Sequence, residues 1–184
     1  MNRYQKQALA SAAAFVVSLH GFGESALNRA FKTVEVRRQS ASQPLDCRNI
    51  LKEVESSAKT NLPVAVKENS LDKIDDIYAG MILLANTSPS NRLYWAETQP
   101  DLIRIQFKIL QALFEIRENQ TRLPSDGKVE KRYRLEKESL TGWLHDKEYI
   151  PIVRETVTNT ALLKELFPPD GKPCVVPIRL AVPR

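Results

Sequence analysis

Pro100-Asp101-Leu102-Ile103-Arg104-Ile105-Gln106-Phe107-Lys108-Ile109-Leu110-Gln111-Ala112-Leu113-Phe114-Glu115-Ile116 is the stretch on which the fold turns. Its first half alternates: Ile103, Ile105, Phe107 and Ile109 are set between Arg104, Gln106 and Lys108, as in a strand with one buried face. Helical spacing runs further. Leu102, Ile105, Ile109, Leu113 and Ile116 make an uninterrupted stripe, and Ile103, Phe107, Leu110 and Phe114 make a second beside it. The run also exceeds an ordinary strand of about five or six residues, and Pro100 with Asp101 supplies a helix start. The spacing predicts a helix over 102–116, packed on two sides at the centre of the core, and with it a mostly α-helical protein.

Working upstream, Asp46 stands as an N-cap before Ile50, Leu51 and Val54, which predict a helix to about Lys59, broken over Asn61 to Lys67 by Pro63. Ser70 caps the next, where Leu71, Ile74, Ile77, Tyr78, Met81, Ile82 and Leu84 share a face until Asn86 to Asn91, with Pro89, ends it. Downstream, Leu123 to Gly127 is a turn signal, because proline presets φ and Asp-Gly tolerates left-handed geometry. A helix follows with Val129, Tyr133, Leu140, Trp143 and Leu144 on one face. Lys128, Lys131, Arg132, Arg134 and Lys137 lie with Glu130, Glu136 and Glu138 on the others. Asp146 opens a last helical region carrying Ile150, Val153, Val157, Leu162, Leu163, Leu166 and Phe167, stopped by Pro168 and Pro169. The expectation is a single helical domain of about five to seven helices over residues 46–170, with an extended tail over 171–184.

Residues 1–26 run from a basic start, with Arg3 and Lys6, through uncharged Ala8 to Leu19, into His20, Gly21, Phe22, Gly23, Glu24, Ser25 and Ala26. That order suits a secretory signal, cut best after Gly23 or Ser25. Twelve uncharged residues fall short of the roughly 20 needed to span a bilayer as a helix. An alanine-rich helix buried in a cytosolic core and a mitochondrial-type presequence are the competing readings. Residues 27–45 read as a short helix and a polar linker, Arg37 to Pro44.

With 42% of residues apolar and 27% charged, the composition excludes the disordered and low-complexity classes. The formal charge of +5 biases mildly toward anionic partners. Cys47 and Cys174 lie too far apart for a CxxC redox or zinc pattern. In an exported chain they can close a loop of about 128 residues, for which chain entropy gives roughly 4 to 5 kcal/mol. In a cytosolic chain they are two separate thiols.

Phe15-Val-Val-Ser-Leu-His-Gly-Phe-Gly-Glu-Ser25 resembles the strand and His-Gly turn that build the oxyanion hole of α/β-hydrolases. That family also needs a Gly-x-Ser-x-Gly elbow, which the chain lacks. His145 beside Asp146 reads as a surface histidine, since neighbours in sequence do not face each other on a helix. Asp75 with Asp76, and Glu136 with Glu138, read as solvated helix faces. Asn86-Thr87-Ser88 and Asn119-Gln120-Thr121 fit the glycosylation pattern. The basic group Arg122, Lys128, Lys131, Arg132, Tyr133, Arg134 and Lys137 is the candidate anion or partner contact, with Tyr133 as an aromatic for stacking. No cofactor, metal or catalytic residue set is indicated.

The leading expectation is a non-enzymatic interaction protein, a structural subunit or a surface-occupying inhibitor, exported to or tethered at the membrane through Ala8 to Leu19. The alternative is a cytosolic or organellar helical module that binds nucleic acid or another acidic partner through the basic helix. Intact mass of the native protein, unreduced and after reduction and alkylation, separates them. Export predicts a chain beginning at Glu24 or Ala26 and lighter by two hydrogens before reduction. An intact Met1 with two free thiols supports the cytosolic alternative.

Overall fold

A computed structural model describes residues 47–87, 92–120 and 127–169. They form six α-helices, one 3-10 helix and no strand: α1 Cys47–Glu68, α2 Asp72–Thr87, α3 Arg92–Gln120, α4 Lys128–Leu140, the 3-10 helix Thr141–His145, α5 Ile150–Thr156 and α6 Thr160–Leu166. The protein is mostly α-helical, as its periodicity predicts. Both stripes of α3 are interior apart from half-buried Leu102 at the start: Ile103, Phe107, Leu110 and Phe114 on one, Ile105, Ile109, Leu113 and Ile116 on the other. Helices α1, α4 and α5 pack around it.

Two helices run through prolines where the sequence suggests boundaries. Helix α1 continues past Pro63 to Glu68, and α3 starts eight residues before Pro100. An interior proline costs about 3 kcal/mol through a lost hydrogen bond and a ring clash. Pro63 is exposed, as is Lys59 one turn earlier, so the carbonyl left without a donor meets water. On the opposite side Leu62 and Ala65 extend the buried row of Leu51, Val54 and Ala58. That burial, worth about 1.5 to 3 kcal/mol for a leucine alone, holds the helix together across the proline.

Helix α1 ends on Asn69 in left-handed geometry, φ 51°. Ser70 N–H donates to Ala65 O at 3.0 Å and Asn69 N–H to Val66 O at 3.4 Å, which closes the end as a Schellman motif. Ser70, expected to open α2, therefore closes α1. Asp72 and Asp75 occupy the first turn of α2, where carboxylates suit the helix dipole. The three-residue connection sends α2 back along α1, and Gly80 lies against Val54.

The last helical region is two helices rather than one. Val157 and Asn159 are extended, and Asn159 Oδ1 caps α6 by accepting from Ala161 N–H at 3.0 Å and Leu162 N–H at 3.1 Å. Gln111 of α3 reaches the break. Its Oε1 accepts from Thr158 N–H at 2.8 Å and Asn159 N–H at 3.3 Å, and its Nε2 donates to Thr158 Oγ1 at 3.1 Å. The interruption thus has partners for its backbone donors. Residues 1–46 and 170–184, which include the N-terminal segment, the linker and the tail, lie outside the described residues.

A Cβ added at Gly80 stands 2.7 Å from Val54 Cγ2. Gly80→Ala is expected to destabilise the protein by about 1 to 3 kcal/mol, because overpacking α1 against α2 exceeds the roughly 1 kcal/mol gain in helix propensity. Urea unfolding of Gly80→Ala, Val54→Ala and the double variant checks this. Loss in the double variant should be smaller than the two single losses added.

Candidate functional site

Helix α4 carries two pairs of polar residues at i, i+4 spacing, set one residue apart: Arg132 with Glu136, and Tyr133 with Lys137. Each pair meets a different neighbour. The first faces α2. Arg132 Nη2 lies 3.1 Å from Asp75 Oδ1, its guanidinium carbon sits 5.0 Å from the centre of the Tyr78 ring, and the Tyr78 hydroxyl donates to Glu136 Oε2. The second faces α6 and α3. Tyr133 OH donates to Glu165 Oε1 at 2.8 Å, Lys137 pairs with the same oxygen, and Arg117 Nη2 lies 3.6 Å from Glu165 Oε2. Arg117 is also held over two rings, 4.6 Å from the Phe114 centre and 4.2 Å from that of Tyr133.

The two carboxyls shift in opposite directions. Burial pushes Glu136 up to about 7, although the Tyr78 hydrogen bond and the Arg132 charge pull the other way. Its Oε1 is buried and has no hydrogen-bond partner among the described residues. Burial acts on Glu165 as well, but hydrogen bonds from Lys137 and Tyr133, with the charges of Lys137 and Arg117, outweigh it and hold the carboxyl below the usual range. Both tyrosine hydroxyls are made less acidic than usual, first by burial and then by the carboxylates beside them. Of the two carboxyls, Glu136 is the one whose proton is held toward neutrality. It is buried, so exchange needs an opening between α2 and α4.

The structure divides the predicted basic surface. Lys128, Lys131 and Arg134 are exposed. Arg132 is 7% exposed, Tyr133 1% exposed, and Lys137 is drawn to Glu165. Tyr133 is thus no stacking platform: its ring completes the row of Val129 and Leu140, and its hydroxyl has an interior partner. Arg122 lies outside the described residues, and so does Cys174, which takes the Cys47 pairing with it; Cys47 opens α1. Glu136 and Asp75 are not solvated-face charges, unlike exposed Glu138 and Asp76. A signal for Glu136 was present, since Val129, Tyr133, Glu136 and Leu140 keep the i, i+4, i+7, i+11 spacing of one buried row. His145 is exposed, and Asp146 Oδ1 accepts from Glu148 N–H at 3.0 Å, serving a turn. Among the described residues no His, Cys, Asp and Glu group is placed to hold a metal ion, and no helix is long and apolar enough to cross a membrane.

Because folding raises the Glu136 pKa, its contribution to stability is complete below the unfolded value and declines as pH rises to about 7. Glu165 has the opposite sign: its contribution is present above the ordinary carboxyl range and is lost on acidification. Glu136→Gln should match the wild type near pH 4.5 and exceed it at pH 7.5 by up to about 3 kcal/mol. Glu165→Gln should weaken the protein at pH 7.5 by about 1 kcal/mol or less, since the partly exposed site is screened, and should match it near pH 3. Denaturant unfolding across that range checks both. The chain matches no protein-family profile, and no characterised protein or solved structure matches it.

Proposed function

We propose that this protein is a non-enzymatic helical interaction protein, a structural subunit or an inhibitor that covers a partner's surface, and that it meets an acidic protein surface through the outer arc of α4. One observation carries the reading: Lys128, Lys131 and Arg134 share an exposed arc, while the inward cations Arg132 and Lys137 are taken up by Asp75 and Glu165. At about 100° per residue these three positions fall within about a third of a turn. They form a short row rather than a ring.

Nucleic acid would use the same row, but two features favour a protein. The interleaved aromatic, Tyr133, is interior and offers no face to a base. Exposed Glu130 and Glu138 border the row, a pattern that complements mixed charge better than a continuous polyphosphate. Placement at or beyond the cytoplasmic membrane belongs to the same proposal and rests on the basic, apolar, small order of residues 1–26.

Lys131→Glu with Arg134→Glu tests the arc without touching the interior. Poly-L-glutamate is the protein-like probe and a DNA duplex the competitor. The wild type should bind poly-L-glutamate at low salt, and the double variant should bind it about tenfold more weakly with unchanged thermal stability. Equal binding by the two proteins refutes the arc. Tighter duplex binding, with a log–log salt slope of about −3 or steeper, replaces the protein partner with nucleic acid.

A further inference from the structure

We infer that Glu136, Tyr78, Arg132 and Asp75 form a proton-operated clasp that holds α2 against α4, closed while Glu136 is the neutral acid and loosened when it ionises. The clasp is independent of the partner proposed for the outer arc. Its first support is architectural. The backbone of α2 lies close along α1, whereas α2 reaches α4 through side chains, the Tyr78 hydroxyl on Glu136 and the Arg132 guanidinium on Asp75 and the Tyr78 ring. These contacts are polar and lie at the meeting of the two helices, so they decide how tightly α2 is held there.

Its second support is charge. Among the described residues the cluster holds one guanidinium and two carboxyls. Arg132 is 3.1 Å from Asp75, which matches the cation to one carboxylate before Glu136 is considered. Ionising Glu136 adds a second carboxylate to a buried group in which Arg132 already faces Asp75. Its third support is hydrogen bonding. Tyr78 supplies one donor to Oε2, and Oε1 is buried without a partner among the described residues, so a carboxylate would hold half its acceptor capacity away from water.

Among the described residues, few titratable groups face Glu136. Helix α2 presents Tyr78 and Asp75, and α4 presents Arg132 one turn before it. Among the described side chains of α3 no titratable group acts on it: Arg117 lies with Tyr133 and Glu165 instead. Opening the clasp returns Glu136 to water and ordinary acidity. The opening equilibrium therefore rises with pH from the usual carboxyl range to about 7, then levels off because both states are ionised. A mildly acidic setting closes the clasp and a neutral one loosens it.

Hydrogen exchange on the full chain at pH 5 and pH 7.5, corrected for the intrinsic pH dependence of exchange, reads this opening. Peptides of α2 should open at least about tenfold more at pH 7.5 than at pH 5, and those of central α3 should show no such ratio. Glu136→Gln, permanently neutral, should hold α2 at its pH 5 protection throughout. Asp75→Asn leaves Arg132 to balance Glu136 and should shrink the pH ratio, which a purely structural role for Asp75 does not predict. Carbon-13 titration of the Glu136 carboxyl follows the proton directly, without substitution: a midpoint near neutrality supports the clasp, and an ordinary carboxyl midpoint overturns it. An α2 response equal in wild type and Glu136→Gln, or absent from both, also overturns it.

Discussion

Burying two adjacent stripes of one helix leaves the neighbouring helices little choice of position. Helix α3 places Ile103, Phe107, Leu110 and Phe114 beside Ile105, Ile109, Leu113 and Ile116, and every one of these is interior. An arc that wide needs cover from more than one side, and α1, α4 and α5 provide it. At about 1.5 to 3 kcal/mol for each large apolar side chain removed from water, the stripes outweigh local preferences nearby. The proline inside α1 is tolerated for the same reason, since Leu62 and Ala65 stay buried around it. The same helix fixes the chain's last reversal, where the Gln111 side chain supplies the acceptor and donor that the break between α5 and α6 requires.

Helix α4 shows how little chemistry separates a proton acceptor from a fixed anion. Glu136 and Glu165 each receive a tyrosine hydroxyl and each has an arginine nearby. The difference is that Glu165 is partly solvated and has Lys137 in direct contact, whereas Glu136 is enclosed and its arginine already faces Asp75. Desolvation governs the enclosed site, and ion pairing with hydrogen bonding governs the other. Their opposed pH dependences follow from burial and from the cation each carboxyl touches, rather than from residue type.

Periodicity announced the elements and most of the interior, including Ile74, Ile77, Phe107 and Val153, because period-3.6 burial is a property of the chain itself. What it did not announce depends on residues distant in sequence. Pro63 reads as a stop until the buried row of α1 is seen to continue past it, and Asn159 reads as part of one helix until Gln111 arrives from 48 positions away. The charged residues are the hardest. Arg132 and Lys137 look like neighbours of Lys131 and Arg134 on a solvated face, and Asp75 and Glu165, supplied by other helices, turn them inward.

Withdrawing those residues into the interior changes what α4 offers outside. Of the outward charges, Lys128, Lys131 and Arg134 stand against Glu130 and Glu138, which leaves a net charge of +1 on the exposed side of a helix rich in lysine and arginine. A field that weak is screened over about 8 Å at physiological ionic strength and steers little from a distance. The charges act at contact range, where position matters more than sum. In the proposed contact with an acidic surface, the row of three cations would meet carboxylates directly, and Glu130 and Glu138 would limit where along the helix they sit. The interior pairs of α4 thereby set its outer charge from within, by deciding which of its cations remain outside.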